Sequence, residues 1–277
     1  MLPNFLVIGA LKAGTTSLYE YLRVHPQVFM PEEKELRFFV EQRNWIRGRD
    51  WYEDHFAGAG SALAVGEASP AYTIATSFPG VPERIASLIP HARLIYILRH
   101  PVERMKSHYL QRVIDGTESR PAERAFLEDL DYLHTSRYAF QLERYLEHFP
   151  KDQLLILLSE DLRDRRAETV RRAYEFLGVD PDHVPDAIAG EHNVSAVHHV
   201  PSTVVARAQR HPLYRAAAGI APPPVRRWFG RLTRRPLTIS RVELSPGLER
   251  RVTEALKEDV VQLRNYLGPG FDGWGIT

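Results

Sequence analysis

Apolar residues along the chain gather in short runs separated by longer amphipathic stretches. Phe5 to Ile8, Ala64 to Glu67, Leu94 to Leu98 and Leu154 to Leu158 have the length and composition of buried strands. Helical spacing follows each of them, with helices predicted to begin near Thr15, Pro82, Val102 and Ala167. Tyr138 to Phe149 repeats the pattern, since Tyr138, Leu142, Tyr145, Leu146 and Phe149 recur at helical spacing. A final helix is predicted over Ser245 to Leu267, closed by Gly268-Pro269-Gly270. Strands alternating with helices predict an α/β fold, a single domain over residues 1–277 with a central parallel sheet flanked by helices.

Composition narrows this picture modestly. Hydrophobic residues make up 44% and charged residues 26%, ordinary for a globular protein able to bury a large core. Cysteine is absent, which excludes disulfides and thiolate metal sites and suits a reducing cytoplasm. The N-terminus lacks a basic region followed by a long apolar run, and Leu154 to Leu158 is too short to cross a bilayer. A soluble cytoplasmic protein is the expectation, with no nucleic-acid partner and an open oligomeric state.

The net charge of +1 conceals an uneven distribution. From His192 to Val242 there is no acidic residue, yet there are nine arginines, interleaved with Pro222-Pro-Pro224, Trp228 and Phe229. Such a segment reads as a solvated surface, a flap over an anionic nucleotide, a dock for an anionic acceptor, or a peripheral contact with anionic lipid.

Chemistry is written most densely in Phe5-Leu-Val-Ile-Gly-Ala-Leu-Lys-Ala-Gly-Thr-Thr-Ser-Leu18, a strand, a glycine-containing turn and a helix start. Free amides and the dipole at a helix N-terminus favour a bound phosphate. Gly9 and Gly14 have the separation of a Walker loop, but Thr15 stands where that loop needs its lysine, and Lys12 lies inside the turn instead. The later strand ends in Arg99-His100-Pro101 and not in a magnesium-binding acid. An arginine there grips phosphate with a planar fork. The pattern therefore predicts a nucleotide bearing a second phosphate, bound without a metal.

These residues resemble the sulfotransferases that use 3′-phosphoadenosine 5′-phosphosulfate. Lys12-Ala-Gly-Thr-Thr-Ser-Leu18 is similar to their P-loop-like phosphosulfate-binding loop, and Leu94 to Tyr109 to their 3′-phosphate segment. Lys34-Glu-Leu-Arg-Phe-Phe39, Gly66-Glu-Ala-Ser-Pro-Ala-Tyr72 and Val81-Pro-Glu-Arg-Ile85 are similar to the heparan-sulfate type. The resemblance implies cofactor contacts from Lys12, Ala13, Gly14, Thr15, Thr16, Ser17, Arg99 and Ser107. It implies that Lys12 neutralises the leaving oxygen and that Glu35 is the general base. As a bare charge run, Glu32-Glu-Lys-Glu35 would be only a solvated turn, and His108 and His55 are reserve bases.

Departures fall on the acceptor side. The heparan type has a lysine where this chain has Ala68, and tends to carry histidine and aspartate at Arg37 and Val40. A heparan-like acceptor is therefore not expected. The arginine- and alanine-rich composition fits a bacterial enzyme sulfating a hydroxyl, or with less support an amine, of a saccharide, glycolipid or secondary metabolite. A P-loop kinase or NTPase and a non-catalytic nucleotide-binding module are the alternatives.

Overall fold

Phe5-Leu-Val-Ile-Gly9 is buried at every position and forms β1, the middle of a five-stranded parallel sheet. A strand covered on both faces needs such an unbroken apolar run. The computed structural model describes residues 1–183, 199–201, 234–236 and 242–276. In chain order the elements are β1, α1 (Thr15–Arg23), β2 (Val28–Phe29), α2 (Gly48–Asp54), β3 (Ala64–Ala68), α3 (Val81–Leu88), β4 (Arg93–Leu98) and α4 (Pro101–Ile114). There follow α5 (Ala122–Glu128), α6 (Asp131–His134), α7 (Tyr138–Leu146), β5 (Leu154–Leu158), α8 (Ser159–Asp164), α9 (Arg166–Leu177), β6 (His199–Pro201), β7 (Arg234–Pro236) and α10 (Pro246–Leu267).

Strand order is β2-β3-β1-β4-β5, and every neighbouring pair is parallel. Val7 lies opposite Ala68 on one side and Ile95 on the other, which brings the carboxyl ends of β1, β3 and β4 to one edge. Open α/β sheets bind ligands outside those ends. Side chains alternate between two cores, as the strand period requires. Leu6, Ile8, Leu94, Tyr96 and Leu98 pack with Phe38, Phe39, Tyr52, Tyr138 and Leu142. Phe5, Val7, Ile95 and Ile97 pack on the other side with Leu18, Leu22, Ala173 and Tyr174.

The α/β class and the parallel sheet agree with the sequence pattern, and each of the four predicted helix starts falls within one residue of the observed one. β2 escaped prediction because two residues carry no periodicity. α7 stops at Leu146 and not at Phe149, which stays buried in a turn just before Pro150. A residue preceding proline is pushed out of the helical region. The arginine-rich segment lies outside the described residues, apart from β6 and β7, which pair antiparallel with Val200 opposite Arg235.

Candidate active site

The turn after β1 is built around two glycines. A Cβ on Gly9 would sit 2.0 Å from the Thr73 hydroxyl, and Gly14 has a φ of +98°. Lys12, between them, also takes a left-handed φ of 67°. Gly14 supplies no side-chain cap to α1, and the cap hydrogen bond there is its carbonyl accepting from Leu18 at 3.0 Å. The first-turn amides therefore face an open cleft of about 770 Å³. Such amides and the helix dipole suit an anion.

The cleft is lined from three directions. Lys12, Gly14, Thr15, Thr16 and Ser17 come from the turn and α1, Arg99 and Ser107 from β4 and α4, and Glu35 and Arg37 from the loop before α2. The residues singled out from the sequence thus share one cleft, with two exceptions. Ala13 is fully buried, and its amide donates to the Ala10 carbonyl at 3.1 Å, so it serves the turn and not the cleft. His55 is held away, with Nδ1 2.8 Å from the Trp51 carbonyl and Nε2 3.5 Å from Glu33.

Lys12 and Arg99 bracket the opening. The Lys12 ammonium donates to Gln111 Oε1 at 3.2 Å, while Arg99 Nη1 donates to the Lys12 carbonyl at 3.4 Å. Burial holds the Lys12 pKa below its ordinary value, Asp115 and Glu35 act to raise it, and Arg99 adds to the lowering. Arg99 is aimed by its own backbone, whose carbonyl accepts from the Tyr138 hydroxyl at 2.8 Å. Beneath it Arg104 is wholly buried, donating through Nε to Ser136 Oγ at 2.5 Å and through Nη2 to the Tyr132 carbonyl at 2.6 Å. Burial lowers the Arg104 pKa to about 10, which leaves it charged at neutral pH.

Of the two histidines, only His108 lines the cleft. Burial, followed by the charges of Arg104, Arg112 and Lys12, pushes its pKa down to about 3. A base that weak has little drive to take a proton near neutral pH. Glu35 lines the same cleft from the loop before α2. Its carboxylate is paired with Arg37 Nη2, its backbone takes a φ of 62°, and its amide donates to the Ala68 carbonyl at 3.2 Å.

Other residues in or beside the cleft were given no role in cofactor binding or catalysis from the sequence. Arg37 takes a φ of 49° and keeps a buried Nε without a hydrogen-bond partner among the described residues. Lys34 Nζ donates to Thr16 Oγ1 at 2.5 Å, placing another cation beside the α1 N-terminus. Burial lowers its pKa too. Gln111 and Arg112 enter from α4, and Asp115 from the position that follows its last turn. Their spacing from Ser107 along one helix was the available signal. Of the three acceptor-side departures, Ala68 and Val40 are fully buried, so only Arg37 faces the cleft. Among the described residues no cluster of three or more His, Asp or Glu side chains could hold a metal, and no helix is long and apolar enough to cross a membrane.

A phosphate-type turn, an arginine at the end of the later strand, and a carboxylate lining the same cleft mark an α/β fold with two candidate anion sites at the carboxyl edge of its sheet. Residues 2–200 match the family described as Sulfotransferase domain, and the chain belongs to that family. It is 34% identical over 209 residues to the bifunctional heparan sulfate N-deacetylase/N-sulfotransferase of Drosophila melanogaster, covering 65% of this chain and 20% of that protein. It is 35% identical over 202 residues to the human bifunctional heparan sulfate N-deacetylase/N-sulfotransferase 3, covering 65% and 23%. The chain thus spans about a fifth of the length of these relatives. A sulfotransferase from Alicyclobacillus acidocaldarius superposes over 99% of both chains, with a TM-score of 0.73 and 25% identity. Mouse sulfotransferase SULT7A1 complexed with PAP shares the fold at a TM-score of 0.51 and 11% identity, over 99% of this chain and 87% of that one.

Proposed function

We propose that the protein transfers a sulfuryl group from 3′-phosphoadenosine 5′-phosphosulfate to a hydroxyl or amino group of a saccharide-bearing acceptor. The observation that carries this reading is the convergence of Lys12, the uncapped α1 amides, Arg99, Ser107 and Glu35 on one cleft. The donor fits the cleft because it needs two anion sites, and the cleft offers a helix N-terminus with a lysine and, separately, an arginine fork. The donor, when bound, would supply the sulfuryl group. The α1 amides, Thr15, Thr16 and Ser17 would hold its 5′ end, and Arg99 and Ser107 its 3′-phosphate.

Each residue then has a part in transfer. The Lys12 ammonium neutralises charge that builds on the departing phosphate oxygen. Glu35 takes the proton of the attacking acceptor group, and Arg37 holds its carboxylate in place. The acceptor class is supported by the heparan sulfate named for the relatives, and Arg37, which departs from the heparan-type pattern, sets the acceptor side of this chain apart.

Titration calorimetry tests the donor, with adenosine 3′,5′-bisphosphate expected to bind in the presence of chelator. Binding of ATP only with magnesium, and none of the bisphosphate, would point to a kinase instead. For the base, Glu35→Gln keeps the shape and should slow single-turnover transfer by roughly 100-fold at unchanged bisphosphate affinity. A wild-type rate in that variant removes Glu35 from the chemistry.

A further inference from the structure

We infer that Glu67 is the positioning residue for the Glu35 carboxylate, acting through the Ser69 hydroxyl and the backbone of Arg37. The inference rests on the reading of Glu35 as the base. Glu67 lies near the end of β3 with its side chain fully buried, and no lysine or arginine among the described residues hydrogen-bonds it. A carboxyl group in such a place is costly unless its hydrogen bonds are satisfied. Three hydroxyls do so: Ser69 donates at 2.7 Å, Tyr52 at 3.4 Å, and Tyr72 donates to the same oxygen as Tyr52.

The Ser69 hydroxyl has one proton, and it is given to Glu67. Its lone pairs are thereby turned outward, where one accepts the Arg37 amide at 2.9 Å. One residue earlier in the same strand exit, the Ala68 carbonyl accepts the Glu35 amide at 3.2 Å. The loop is thus pinned at Glu35 and at Arg37, the two positions where it adopts left-handed backbone. Such conformations persist only where their surroundings over-determine them. From the second pin the Arg37 guanidinium reaches back to the Glu35 carboxylate. Tyr52 closes the arrangement from the other side, since the ring that serves Glu67 also stacks on Phe38 of the loop at 4.1 Å between centroids. Glu67 touches neither end of the cleft and reaches the base only through this relay.

Two measurements on Glu67→Gln, Ser69→Ala and the double variant test the relay. The first is hydrogen exchange of the peptide spanning residues 34–39 in the full chain. The second is single-turnover transfer from labelled 3′-phosphoadenosine 5′-phosphosulfate to whichever of a set of hydroxyl- and amino-bearing oligosaccharides, N-deacetylated heparan among them, the wild type sulfates, alongside bisphosphate affinity. Each single variant should speed exchange of the Arg37 amide and slow transfer by about tenfold to 100-fold, the scale of a small misplacement, with bisphosphate affinity unchanged. The double variant should be no slower than the slower single one, because both break the same relay. Wild-type exchange in both variants overturns the inference, as do additive losses. Should Glu67→Gln not fold, Ser69→Ala carries the same two readouts. A Glu35→Gln enzyme with full activity would instead overturn the base assignment while leaving the exchange result to decide the relay.

Discussion

Arg99 leaves the end of β4 with its carbonyl fixed by Tyr138 and one guanidinium nitrogen on the Lys12 carbonyl, so its fork is aimed before any ligand arrives. Preorganised charge of this kind binds phosphate with little ordering cost. Arg99→Ala should weaken adenosine 3′,5′-bisphosphate binding by about 1.5 to 3 kcal/mol, the range for hydrogen bonds to charged groups, as read by calorimetry. Equal affinity in wild type and variant would take Arg99 out of the site. That Lys12, Arg99 and Ser107 would meet at one cleft was legible in the sequence because each sits in a short local motif, while Glu35 was singled out by the family resemblance. The contacts of Arg37 and Lys34 were not legible, since they depend on a loop whose left-handed turns no pattern of apolar residues records. Nor could a sequence show that the His108 pKa is depressed by burial and by three neighbouring cations, or that the α2 turn carries His55 off to Trp51.

At the scale of elements, α7 and α10 are joined by one carboxylate. Asp259, buried on α10, accepts the amides of Ala139 at 3.1 Å and Phe140 at 2.9 Å in the first turn of α7. No side chain of the preceding residue caps that helix, so α10 supplies the cap across more than a hundred residues of chain. Asp259→Ala should lower stability by about 1 to 3 kcal/mol, read as a drop in the urea midpoint, because two buried amides lose their acceptor. An unchanged midpoint would mean that the cap contributes nothing. This contact was beyond the sequence pattern for a plain reason. Periodicity places Asp259 on a helix whose neighbours Leu256, Val260 and Leu263 face the core, but it does not say which helix end they meet. β1 and β5 were easier, being short and free of charged residues over their whole length. Ser245, the expected helix start, is the N-cap of α10, its hydroxyl accepting the Leu248 amide at 3.4 Å.

The whole molecule feels its buried charges through pH and salt. Burial raises the Glu67 pKa from 4.5 to about 7, with Tyr72, Ser69 and Tyr52 lowering it in part and Glu35 adding to the rise. The native state therefore holds this proton more tightly than the unfolded chain does, and ionising the group costs stability as pH rises from about 4.5 through about 7. Urea melts at about pH 5 and about pH 8 should show Glu67→Gln gaining on wild type toward the higher pH, by on the order of 1 to 3 kcal/mol. Parallel behaviour of the two proteins would mean Glu67 is already ionised near its ordinary value. Arg104 has the opposite character, a charged guanidinium sealed under the cleft, whose hydrogen bonds run to the Ser136 hydroxyl, the Tyr132 carbonyl and the His108 ring, with no carboxylate among them. Mobile counterions cannot approach it as they approach a surface arginine, so its field on the cleft escapes most screening. Part of the attraction for a dianionic ligand is then built into the protein's interior, and concentrated electrolyte that silences the exposed cations leaves that part standing.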